Sequence, residues 1–215
     1  MKSLFVAGAL AGALLSVSYA QARTTECDLL TTHPDDPQRV APGLEREEID
    51  LPRAEGACRA AIAEDPRHAR SHYLLGRALF YQGKTEEGIA ELKIAADIGY
   101  PQAIFVLGYV LSGDVRKSGG DDCRAGELWL RSAGLEHPWS GFHLVDKAVS
   151  GRFANCSFKL SGVELERYMR LAEDNITLTA SGGRVETLRA KLNAAQKSGA
   201  AQKSDAAKKT KAGAK

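Results

Sequence analysis

The chain has 215 residues, 44% of them hydrophobic, and carries 29 Lys and Arg against 27 Asp and Glu for a net charge of +2. That total is not evenly spread: residues 191–215 hold seven Lys and one Asp, and residues 21–190 come to −5, so a mildly acidic body carries a basic tail. The longest apolar run, Leu4 to Leu15, has 12 residues, which excludes a chain of bilayer-spanning helices that need roughly 20 each.

In chain order, residues 1–22 combine Lys2, that apolar run and small residues before Ala20 and Ala22, the pattern of a cleaved secretory signal peptide. Cys27 follows Thr24, Thr25 and Glu26, which lacks the small apolar context of a lipid-attachment site, so the expectation after cleavage is a periplasmic or secreted protein with no membrane span. About 165 residues then remain between leader and tail, room for one core or a short solenoid. Residues 23–50 include THPDDPQRVAPG, whose prolines and aspartates cannot sustain a helix and predict a wrapped, irregular segment. LPRAEGACRAAIAEDP then predicts a helix stopped near Asp65 and Pro66. RHARSHYLLGRALFYQGK predicts a second helix closed at Gly83, and TEEGIAELKIAADIG a third with Thr85 as N-cap.

The next stretch repeats an earlier one. Setting Ala69 against Pro101 aligns Tyr73 with Phe105, Leu75 with Leu107, Gly76 with Gly108 and Leu79 with Leu111. A further shift aligns Ala96 with Ala133, Pro101 with Pro138, Phe105 with Phe142 and Leu107 with Leu144. Internal periodicity of this length is the mark of a repeat architecture. The middle unit, with Leu107, Gly108, Ala125, Trp129 and Ala133, resembles the Sel-one-like repeat, a relative of the tetratricopeptide repeat. In the third unit Val145 stands where the crossing glycine is expected, and SGRFANCSFKLSG precedes a capping box at Ser161 and Glu164. The resemblance implies an all-α chain: a right-handed α/α solenoid over 51–175, with units at about 67–100, 101–137 and 138–175. A capping helix over 176–196 with Val185, Leu188 and Leu192 on one face follows, and 197–215, without large apolar residues, is expected to be disordered.

Four cysteines, Cys27, Cys58, Cys123 and Cys156, in an exported chain imply two disulfides. In the solenoid that the resemblance implies, three helices separate Cys58 from Cys123, beyond disulfide reach. Cys27 with Cys58 and Cys123 with Cys156 is therefore the favoured pairing, each closing a loop worth on the order of 3 to 4 kcal/mol.

Reaction chemistry is not written in the chain. There is no Gly-x-Ser-x-Gly elbow, no His-Glu-x-x-His, no phosphate loop and no dinucleotide fingerprint. GDVRKSGG lacks the Gly-Lys-Ser/Thr order of a phosphate loop and is expected to be a mobile loop. Cysteine-rich members of the resembled family are linked to β-lactam binding and hydrolysis, but no serine here has a lysine three positions on, which leaves Lys117, Ser118 and Gly119 without a nucleophile motif. His68 and His72 have a chelating spacing without a third ligand, so neither metal nor cofactor is expected.

The resemblance instead places the first helix of each unit on a concave face. That stacks Tyr73, Phe105 and Phe142 in a column, flanked by Arg70, Gln102 and Trp139 and by Arg77, Tyr109 and Asp146. Arg70, Tyr73, Arg77, Phe105, Tyr109, Trp139 and Phe142 are the expected binding residues, with inter-helix core as the competing reading for the three rings and Arg70, Arg77, Tyr109 and Trp139 the harder ones to bury. The expected function is a non-enzymatic protein- or peptide-binding adaptor or regulator of the bacterial periplasm. A cell-wall- or β-lactam-directed hydrolase, and an envelope structural protein holding an anionic polymer non-specifically through its lysine tail, stay open as alternatives.

Overall fold

The computed structural model describes residues 23–112 and 120–212, apart from the side chains of Leu178 and residues 199–212. The expected signal peptide and the GDVRKSG loop therefore lie outside the described residues. The described residues are all-α, with two disulfides and no strand. The elements are α1 (Glu26–Thr31), a 3-10 turn (Arg46–Glu48), α2 (Leu51–Glu64), α3 (Ala69–Tyr81), α4 (Thr85–Ile98), α5 (Pro101–Leu111), α6 (Asp122–Ala133), α7 (Pro138–Val149), α8 (Gly162–Asn175), α9 (Leu178–Ser181) and α10 (Arg184–Ala212). No helix among the described residues is long and apolar enough to cross a membrane.

Local chemistry explains the boundaries. Asp50, Asp121 and Ser161 cap α2, α6 and α8 by accepting from the backbone N–H three residues on, and Ser161 with Glu164 forms the expected capping box. Pro101 and Pro138 occupy the first turns of α5 and α7, where a missing N–H costs nothing. Gly99 ends α4 at φ 107°, a conformation that a Cβ would strain. Thr85 is not a cap: it is the first helical residue, and Lys84 precedes it without a side-chain cap bond.

Helices consecutive in the chain pack against each other, most extensively as the hairpins α3/α4, α5/α6 and α7/α8. Small residues set the first two crossings. A Cβ on Gly76 would lie 2.9 Å from the Gly88 carbonyl, and one on Gly108 would lie 2.6 Å from Trp129 Nε1. In the third hairpin the close approach moves one turn back from Val145 to Gly141, whose Cβ would lie 2.7 Å from the Tyr168 carbonyl oxygen. The loop joining α7 to α8 folds onto α6: Phe153 and Phe158 pack on each other with ring centroids 5.0 Å apart and cover Gly126.

The disulfides pair Cys27 with Cys58 and Cys123 with Cys156, as expected. Val185, Leu188 and Leu192 of α10 are buried in the cluster that also holds Trp129, Leu144, Val145 and Met169, so α10 covers the α7/α8 end of the molecule. Two expectations change. The segment 23–50 contains α1, nucleated by a capping box between Thr25 and Asp28. At the other end α10 runs beyond residue 196 through Ala212, where disorder is expected; Ala, Lys and Gln favour helix by propensity alone. Residues 213–215 lie outside the described residues.

Candidate functional site

The segment from Asp28 to Leu44 lies across α3 and α5 as a strap, and side chains expected to face a partner are the ones that hold it. Arg70 Nε donates to Asp28 Oδ1 at 2.6 Å, and Arg70 Nη2 reaches Asp28 Oδ2 and the Arg23 carbonyl at 3.3 Å each. Burial works against the Asp28 charge, but the hydrogen bonds from Arg70 and Thr25 outweigh it and hold the carboxyl below its usual range. Arg77 donates to two strap carbonyls, Thr31 from Nη1 and Leu44 from Nη2, at 2.7 Å each. Tyr100 donates its hydroxyl to Asp36 Oδ2 at 2.7 Å, while burial pushes the Asp36 carboxyl up.

Arg70 and Arg77 are therefore buried and spent on the chain's own N-terminal segment, which corrects the expectation that they stand open to a partner. Their positions on the helices are those anticipated; the occupant was not. Tyr73 is core, 5.4 Å from the Tyr100 ring. Phe142 is also buried and meets Trp139 edge-on at 5.6 Å. Trp139, expected to resist burial, is covered by Arg184, whose guanidinium carbon sits 4.9 Å from its ring centroid. Phe105 is half-buried and stacks on His137 at 4.6 Å. Tyr109 alone among the seven expected residues is exposed, at 42%.

What the strap leaves open is a groove beside it. One cavity of about 400 Å³ is walled by Tyr73, Arg77, Phe80 and Tyr81 of α3, Gln102, Phe105, Val106 and Tyr109 of α5, and Trp139 and His143 of α7. Leu92 of α4, Val110 of α5, His33 and Asp35 of the strap and Arg184 at the start of α10 complete it. A second cavity of about 400 Å³ adjoins it, sharing Tyr109, His143 and Arg184 and adding Asp146 and Lys191. Five of the seven expected residues thus line the first cavity, Phe142 lines the second, and Arg70 lines neither.

Two histidines beside the groove are neutral. His33, whose Nδ1 accepts from the Asp35 N–H at 3.0 Å, is held down to about 4 by burial and by the Arg77 charge. His137 is held to about 3 by burial and by the neighbouring histidines, with Nε2 2.6 Å from Gln102 Oε1. The Ser140 N–H points at His137 Nδ1, so Nε2 carries the proton and donates to Gln102. His68 and His72 are committed elsewhere, to Ser71 at 2.6 Å and to Glu91 at 2.6 Å. Among the described residues no group of three His, Cys, Asp or Glu is arranged to hold a metal ion.

Sequence reasoning missed His33, Asp35, Arg184 and Lys191. The double glycine before Arg184 signals a break between helices, but nothing in the sequence ties that break to the groove. Comparison of the chain with protein-family models, with curated proteins and with solved structures finds no match.

Proposed function

We propose that this is a non-enzymatic binding protein of the bacterial periplasm, an adaptor or regulator built from Sel-one-like and tetratricopeptide-like repeats stacked as a short right-handed α/α solenoid. One observation carries the reading. The groove is walled by register-equivalent positions of the first helix in three successive hairpins: Tyr73 and Phe105 from one column, Gln102 and Trp139 from a second, and Arg77 and Tyr109 from a third. A repeat that presents the same face from each unit makes a continuous binding surface. Two disulfides suit an oxidising compartment.

The partner engages the aromatic groove beside the strap, centred on Tyr109. Incorporating a benzophenone amino acid at position 109, and separately at the exposed Val163 of α8 as an off-groove control, tests this in cells. The expected result is a discrete protein adduct from position 109 alone. No adduct at 109, or the same adducts from both positions, refutes the reading.

A further inference from the structure

The groove has a chemical preference of its own. Resting on the reading of this groove as a binding site, we propose that it takes an apolar monocarboxylate, with the carboxylate seated on Arg184 and an aromatic or branched body packed against Phe105, Tyr109 and Trp139.

Arg184 is prepared for that role. Its guanidinium carbon lies 4.9 Å from the Trp139 ring centroid and 5.9 Å from that of Phe142, and its Nε donates to the Ser181 carbonyl at 2.9 Å. Its two terminal nitrogens meet no protein acceptor among the described residues. A guanidinium anchored through Nε keeps its two terminal nitrogens for a ligand, and that planar fork is what a carboxylate accepts bidentately. Because Arg184 belongs to both cavities, a carboxylate placed on it stands at their junction, with the aromatic compartment within reach of its substituent.

Charge selects the same ligand. The two cavities together hold Arg77, Arg184 and Lys191 against Asp35 and Asp146, an excess of one cation, and the neutral His33 adds none. Asp35 accepts no hydrogen bond from the described residues; burial pushes its carboxyl up against the opposing charges of Arg184 and Arg39, so it offers a poor seat for a ligand cation. It competes with a bound anion for Arg184. Size admits the body: about 400 Å³ has room for an aromatic or branched substituent and lies at the lower end of small-molecule sites. A free small acid and the carboxyl-terminal residue of a peptide share this chemistry.

Isothermal titration calorimetry of the purified protein with 3-phenylpropionate and its amide, and with acetyl-Gly-Gly-Phe as free acid and as amide, tests the proposal and separates the sources. Binding of the small acid alone assigns a metabolite-like ligand, and binding of the peptide acid as well assigns a chain end. In either case the acid is expected to bind on the order of 10- to 100-fold more tightly than its amide, the scale of hydrogen bonds to a charged group. Arg184→Gln should erase that preference, Asp35→Asn should tighten acid binding, and Tyr109→Ala should weaken acid and amide alike, with melting temperatures preserved. Failure of both acids to bind at millimolar concentration, equal affinity for acid and amide, or a preference that survives Arg184→Gln overturns the proposal. An adduct at position 109 without acid preference sinks the carboxylate inference alone. Acid preference without an adduct sinks the protein-binding reading alone.

Discussion

Replacing Arg77 with Met separates a strap-holding arginine from a groove-lining one. The substitution keeps most of the aliphatic stem and removes two charged donors that each lie 2.7 Å from a strap carbonyl. Hydrogen bonds to a charged group contribute about 1.5–3 kcal/mol each, so the gross loss is about 3–6 kcal/mol. Burying no guanidinium and letting water reach the Leu44 carbonyl recover part of it, which leaves a net loss of about 3 kcal/mol. For a protein of this size that is a fall of about 6–12 °C in melting temperature. If the strap instead lifts before the body unfolds, the loss appears as faster hydrogen exchange at the Leu44 amide, which bonds the Thr32 carbonyl at 2.9 Å, by about 100-fold. Tyr109→Ala, exposed at the groove, is the control and should melt within about 3 °C of the wild type. Circular dichroism melts with disulfides intact, together with exchange measured at Leu44, decide the matter. An Arg77→Met protein with both unchanged refutes the strap reading.

Two further predictions follow from burial. His33 titrates at about 4 in the folded protein against 6.5 for an ordinary histidine, so the unfolded chain binds more protons between these limits. The stability contributed by the neutral ring is then complete above pH 6.5 and is lost as pH falls toward 4, and the melting temperature of His33→Gln should fall less steeply over that window. Equal slopes for the two proteins would rule the contribution out. Gly141→Ala drives a Cβ to 2.7 Å from a backbone oxygen of α8 and should cost about 1–3 kcal/mol, whereas Gly162→Ala, with nothing within 4 Å, should be neutral or stabilising. Indistinguishable melts of these two variants would reject the crossing at Gly141.

Much of the helical framework is legible in the sequence because its determinants are local. Prolines at Pro101 and Pro138, the Gly99 terminator, the Ser161 capping box and the apolar face of Val185, Leu188 and Leu192 all act within a turn or two. A wrapped segment over 23–50 is expected from its prolines and aspartates, but its seat was not legible, for a physical reason. Arg77 is recognised by main-chain carbonyls, which every residue carries, so the interaction leaves no mark at Thr31 or Leu44. Arg70 and Asp28 are 42 residues apart, one of many Arg and Asp pairings the sequence allows. Reading an arginine at a groove position as open to a partner assumes an empty groove, and here the chain fills part of it. The third crossing was misplaced because Gly141 and Val145 lie one turn apart on the same helix face, where alignment alone does not decide between them.

The Cys27–Cys58 bond bears on the order in which the molecule assembles. The strap is synthesised before any residue that receives it, so Asp28 must find Arg70 across 42 residues and Asp36 must find Tyr100 across 64. Once Cys27 is joined to Cys58 on α2, the path from Asp28 to Arg70 shortens to about 13 residues, which lowers the closure entropy by about 1 kcal/mol. Both sulfur-bearing residues are fully buried in the finished protein. A crosslink made before the strap docks is therefore a tether that holds Asp28 near its seat on Arg70.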